Sequence, residues 1–243
     1  VGKNETKFYK CFQNIIGEEY LKSKSVDKKI IKDDIFLSSN YRDYNFNDGI
    51  VRIIEEILKN FKSDLNIPSR SLTSYIDGMI VKHPQLGTRI IEFDEEQHFN
   101  PYRKEALTIL KEKHIDLWFI ESYLELCKDI KHFDIMLKKQ RIKYKADDIL
   151  SLNEFYDILV NTPNNSNYIK ERPGFDFVGG RIAQRAYYDL LRDLAYLSPK
   201  NSHLKQIIRF SKYEIEREFK NKFEKLSDEE IGNFIEKRLE IIM

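Results

Sequence analysis

The sequence predicts an α/β chain that is predominantly helical and built around a small β-sheet. Three observations predict it. Apolar residues recur at helical spacing over most of the 243 residues. One stretch, 72–95, switches to aromatic and β-branched runs broken by a Pro–Gly turn. Proline and glycine are few, at six and nine, which leaves room for long helices.

Taken in order, residues 6–23 read as an amphipathic helix, with Phe8, Cys11, Phe12, Ile15 and Tyr20 near one face. Residues 24–46 carry turn chemistry and no clear period. A firmer helix runs over 48–61, where Ile50, Ile53, Ile54, Ile57, Leu58 and Phe61 form one stripe and Asn47 or Asp48 supplies a cap. Residues 72–82 then read as a strand, 84–87 as a turn and 89–95 as the antiparallel partner. Pro101 suits the first turn of a further helix. Residues 115–120 fit either a buried strand or the start of a helix running to 129, and the spacing of Tyr123, Leu124 and Cys127 tilts toward helix. Further helices are expected over 130–140, 152–160, 180–197, 203–220 and 227–241. The last opens on the capping-box pair Ser227 and Glu230. The loop 161–167 is the best candidate for a boundary between lobes. Three segments follow: 1–46 as an N-terminal helical piece, 47–130 as the core, and 131–243 as a helical region for DNA contact or dimerisation.

Composition excludes several classes. Hydrophobic residues at 41% and charged residues at 33% describe a globular rather than a disordered chain. No run approaches the roughly 18 apolar residues of a membrane span, and no signal-like region opens the sequence, so a cytoplasmic location is expected. Cys11 and Cys127 are too few for a disulfide framework or a zinc cluster, and read as reduced thiols. A net charge of +1 says nothing about nucleic acid, but Lys138, Lys139, Arg141, Lys143 and Lys145 crowd one segment around Tyr144. A looser basic group spans Lys22 to Lys32. Each reads either as a solvated helix face or as a track for phosphates.

The chemistry concentrates in residues 88–99. Alternation on a strand turns Ile91 and Phe93 to the core and Glu92 and Asp94 together to the other face. Two carboxylates so placed repel each other, and a cation or a substrate proton relieves them. Asp77 stands fifteen positions before Glu92, at the far side of a hairpin, so three carboxylates are expected to converge. An oxygen-only set suits magnesium or manganese. Gln97 or His98 could orient water or a scissile phosphate, and His98 could carry a proton. Against this stands the plainer reading that the acids face solvent and favour the helix start at Pro101. Glu55 and Glu56 are either an extra ligand or a solvated face.

A second region runs over 174–192. Gly179 and Gly180 before a helix could present backbone N–H groups to a phosphate, with Arg181, Arg185 and Arg192 extending a basic ridge. Arg181 or Arg185 could also read guanine edges. The plainer alternative is a helix start with Arg185 paired to Asp189 four residues on.

Asp77, followed after the turn by Ile91-Glu-Phe-Asp-Glu-Glu-Gln-His98, resembles the variant motif of the PD-(D/E)XK nuclease superfamily, in particular the branch of very-short-patch-repair-type endonucleases. The resemblance covers about residues 48–120. Ile76 stands where the motif's proline would be, Asp94 where its lysine would be, and Glu95 where the branch has glycine. The resemblance implies a small mixed sheet of restriction-endonuclease-like type flanked by helices, with helix 48–61 before the sheet and helix 101–113 after it. It implies a Mg2+- or Mn2+-dependent endonuclease that hydrolyses DNA phosphodiesters, of the type II restriction or related defence kind. Asp77 and Glu92 would hold the ion, and Asp94 would complete the site or act as base. Gln97 or His98 would position water and phosphate. Lys138, Lys139, Arg141, Lys143, Arg181 and Arg185 are the expected DNA contacts, and double-strand cutting would favour a homodimer. The rival reading is a non-catalytic helical component that binds DNA or protein and needs no ion.

Overall fold

A computed structural model describes residues 2–25, 35–73, 76–128, 151–160 and 173–242. The chain forms two compact units that interleave along the sequence. One comprises Val1–Leu37, Ser71–Glu95 and Leu194–Met243; the other comprises Ser38–Arg70 and Glu96–Asp193.

The first unit holds the sheet. Helix α1 (Lys3–Ile16) stops at Gly17, whose φ of +94° favours glycine. A single 3-10 turn (Glu18–Tyr20) then leads into the short strand β1 (Leu21–Ser23). The expected helix over 6–23 is therefore a helix, a turn and a strand. Strand β2 (Gly78–His83) and strand β3 (Gly87–Asp94) form the expected hairpin, although β2 begins later than the period suggested. Gly78 faces Ile91 and Met79 faces Ile90, and the register shifts before His83, where Lys82 takes a positive φ. This is a bulge at the hairpin end. The fourth strand, β4 (Ile208–Ser211), lies parallel to β3 and gives the order β1-β2-β3-β4. The sequence reads 203–220 as one helix. Instead Ile208–Ser211 pairs with β3, and Ser211 caps a shorter helix, accepting from the backbone of Tyr213 at 3.1 Å.

The sheet has two unlike faces. Phe93 and Phe210 turn to the side covered by Phe8 and Phe12 of α1, with the Phe8 ring 4.6 Å from Phe93 and 5.0 Å from Phe210. Phe223 and Phe234 close the same cluster. Such ring pairs contribute about 0.5–1.5 kcal/mol each beyond burial. Residues one step out of phase, among them Glu92, Asp94 and Arg209, belong to the opposite face. The closing helices are those that follow the unit's last strand, over Lys212–Phe219 and Asp228–Ile242. The capping box of the last forms as expected: Glu230 N–H donates to Ser227 Oγ at 3.1 Å, and Ser227 N–H to Glu230 Oε2 at 2.7 Å.

The second unit is helical. It contains α2 (Asp48–Asn60), α3 (Pro101–Glu112), α4 (Ile120–Lys128), α5 (Leu152–Val160) and nearly all of α6 (Gly180–Leu194). We number the closing helices of the first unit α7 and α8 accordingly. Asn47 Oδ1 caps α2 by accepting from Ile50 N–H at 3.0 Å, and Asn100 Oδ1 caps α3 by accepting from Arg103 N–H at 3.0 Å. Tyr102 packs between Phe61 and Phe155, at 5.1 and 5.8 Å between ring centres. The ambiguous residues 115–120 lead into α4 rather than forming a strand. The helix expected over 130–140, the basic segment 138–145 and the loop 161–167 lie outside the described residues.

Among the described residues no helix is long and apolar enough to cross a membrane.

Candidate functional site

The antiparallel register of β2 and β3 sets Asp77, just ahead of β2, across from Glu92. The two strands reach into each other there. Asp77 N–H approaches Glu92 Oε1 at 3.4 Å, and Phe93 N–H approaches Asp77 Oδ2 at 3.4 Å. Both contacts are long, so neither carboxylate is held by a strong backbone bond in this pair. Asp77 is half-buried, whereas Glu92 is 1% and Asp94 0% exposed. Asp94 follows Glu92 on the same face of β3.

Tyr9 of α1 senses all three acids. Burial, first, and then the charges of Asp77, Glu92, Glu5 and Asp94 push its phenol well above the usual tyrosine value. The phenol is therefore a proton donor, and it donates to the carbonyl of Ile91 at 2.9 Å. Its ring lies so close to the start of β2 that a Cβ on Gly78 would fall 2.6 Å from Tyr9 Cε1. Glycine at 78 is thus a packing requirement, and it fixes the strand immediately beside Asp77.

A cation enters from the parallel strand. Arg209 of β4 stands opposite Glu92, and its Nη1 donates to Asp94 Oδ2 at 2.7 Å with both side chains fully buried. Taking two charges out of water costs several kcal/mol per ion, about what their attraction in a good geometry returns. Sequence reasoning missed Arg209 and Tyr9. The alternation of Ile207, Ile208, Arg209 and Phe210 was the available signal for a strand carrying a cation, but four residues are too few to set a period.

Gln97 and His98 belong to the second unit, in a 3-10 turn before α3. His98 is buried, and its Nδ1 lies 2.9 Å from Asp189 Oδ2 on α6. Arg192 also bonds Asp189, three residues on along the helix. The four-apart pairing of Arg185 with Asp189 does not form. Arg185 Nη1 instead lies 3.5 Å from His98 Nε2. Arg181 Nη1 donates to Gln184 Oε1 at 2.7 Å. Gly179 and Gly180 have a structural explanation. A Cβ on Gly180 would sit 2.0 Å from the Phe175 carbonyl oxygen, and Gly180 N–H is already bonded to Phe177 O at 2.9 Å.

The structure therefore brings Asp77, Glu92 and Asp94 together around one sheet face, and brings His98, Asp189 and Arg185 together in the other unit. Glu55 accepts from Tyr41 at 2.8 Å and Glu56 pairs with Lys113 at 2.9 Å, which places both in helix-surface contacts. Among the described residues no group of three or more His, Cys, Asp and Glu side chains is arranged to hold a metal ion. Asp77 and Glu92 still suit a hard cation, since magnesium commonly binds through one or two carboxylates and fills its remaining positions with water and phosphate oxygens.

Residues 64–142 match a family of unknown function (DUF7255). That span takes in the β2–β3 hairpin, α3 and α4. No curated protein and no solved structure matches the chain.

Proposed function

We propose that the Asp77–Glu92 face is the metal-binding centre of a metal-dependent deoxyribonuclease of restriction-endonuclease-like type. The observation that carries this reading is the mutual approach of the two acids across the hairpin, Asp77 N–H to Glu92 Oε1 and Phe93 N–H to Asp77 Oδ2. A small mixed sheet flanked by helices supports it. So does the gathering of negative charge on one face, felt by Tyr9 from Asp77, Glu92 and Asp94.

In this reading Asp77 and Glu92 hold Mg2+ or Mn2+. When bound, the ion supplies charge shielding for a phosphodiester and a water of lowered pKa. The chain's own residues do the rest. Asp94 completes the face by fixing Arg209, whose guanidinium offsets the accumulated negative charge. Tyr9 and Gly78 lock the hairpin so that the two acids stay opposed. Arg181 and Arg185 contribute DNA contacts. A place in a restriction or related defence system rests on the family resemblance alone. One observation favours the non-catalytic alternative, a DNA- or protein-binding component: Asp94 is engaged by Arg209.

The test is cleavage of plasmid and genomic DNA, and of structured RNA, by the purified chain with magnesium or manganese. The wild type is compared with Asp77→Ala and Glu92→Ala variants whose folding is checked by circular dichroism. Metal-dependent cutting lost in both folded variants is the expected result. No cutting of any of these substrates with either ion favours the binding component.

A further inference from the structure

The second unit contains a cation that no acidic side chain among the described residues pairs with. Arg185 is half-buried on α6, and among the described residues its guanidinium has one polar partner, the His98 ring at 3.5 Å. No carboxylate among the described residues meets it. A partly desolvated charge without a counter-charge is costly, and the neighbouring residues hold this one in place. Asp189, fully buried and bonded by Arg192, lies 2.9 Å from His98 Nδ1. In the tautomer with Nδ1–H donating to Asp189, Nε2 accepts, and it is the atom that faces Arg185 Nη1. Asp189 therefore orients His98, and His98 orients Arg185. One turn earlier, Arg181 is held by the buried Gln184 and adds positive potential.

We propose that Arg185 is a preorganised oxyanion subsite for a phosphate group, with His98 and Asp189 as its positioning residues. A guanidinium has five N–H donors in a planar fork matched to phosphate oxygens, and one contact to an imidazole leaves the others for a ligand. Holding the fork in advance removes ordering cost from binding. The helix N-terminus is not the site, because Gly180 N–H is taken by Phe177. The inference rests on the nucleic-acid reading only for the source of the phosphate.

The test is a metal-free titration of the full 15N-labelled chain with inorganic phosphate, following the His98 imidazole and Arg185 side-chain signals. Saturable shifts of both are expected. Arg185→Gln should weaken phosphate binding about tenfold, the loss of one charge-assisted contact. Arg185→Lys should recover part of that loss, and His98→Gln should weaken binding while the Arg185 signal broadens. Duplex DNA competing with phosphate for the same signals assigns the phosphate to a nucleic-acid backbone. If a mononucleotide competes and DNA does not, the subsite stands as one for small phosphates. Absence of shifts with phosphate, nucleotide and DNA alike, or equal binding by Arg185→Gln, overturns the proposal. Because no metal is present, this outcome is independent of the cleavage assay on Asp77 and Glu92.

Discussion

Arg209 stands opposite Glu92 on a parallel strand, and its guanidinium donates to Asp94, one pleat further along. The arrangement places a fixed positive charge on the face where three acids gather. Its strength comes from geometry, since both partners are fully buried at 2.7 Å. Its fragility has the same cause, because removing either partner takes away a contact that offsets the burial of the other.

Removing one partner should therefore be severe. Asp94→Asn or Arg209→Gln should cost about 3–5 kcal/mol, the usual penalty for stranding a buried charge. The double replacement Asp94→Asn with Arg209→Gln should cost clearly less than the sum of the singles. Urea unfolding of the four proteins in a double-mutant cycle checks this, and additive costs would show that the pair is not coupled.

Gly78→Ala should destabilise the hairpin by about 1–3 kcal/mol through overpacking. The new methyl would lie 2.6 Å from Tyr9 Cε1, inside any real contact. Trimming the ring with Tyr9→Leu in the same chain should return part of the loss. Thermal unfolding of the single and double variants measures it.

Alkaline pH should weaken the fold. The Tyr9 phenol is raised well above its ordinary 10.0 by burial and then by Asp77 and the other acids. Burial raises Tyr44, Tyr102 and Tyr187 in the same direction, and Tyr41 to about 12. Above pH 10 the unfolded chain releases phenolic protons that the folded chain retains. The folded state then binds more protons, so stability present below that pH falls as pH rises. Urea midpoints between about pH 8 and 11 should decline, less steeply for Tyr9→Phe than for wild type.

Both thiols should be inert in the folded chain. Burial pushes Cys11 up to about 11 and Cys127 up to about 12, so little thiolate exists near neutrality. A thiol reagent at mildly alkaline pH should modify the buried Cys11 at the rate of unfolding and the half-buried Cys127 only slowly. Rapid modification without denaturant would contradict the packing around them.

The sequence was legible where a pattern was long. The six-position apolar stripe of α2, the cap at Asn47, the helix start at Pro101, and the turn between β2 and β3 each have a local signature. Asp77, Glu92 and Asp94 were readable as one face because strand alternation and a short turn bring them together within eighteen residues. The edge strand Leu21–Ser23 and the parallel strand Ile208–Ser211 were not readable, being three and four residues long. Tertiary pairing, not local propensity, makes them strands. Arg209 is 115 positions from Asp94, and Asp189 is 91 from His98, so no local pattern could have joined either pair.

The central claim is that Asp77 and Glu92 share a divalent ion. Manganese titration followed by electron paramagnetic resonance tests it most directly, using wild type beside folded Asp77→Asn and Glu92→Gln variants. One saturable ion in the wild type, lost in each variant, is the result expected. Binding that is absent in the wild type, or unchanged by both replacements, would contradict it.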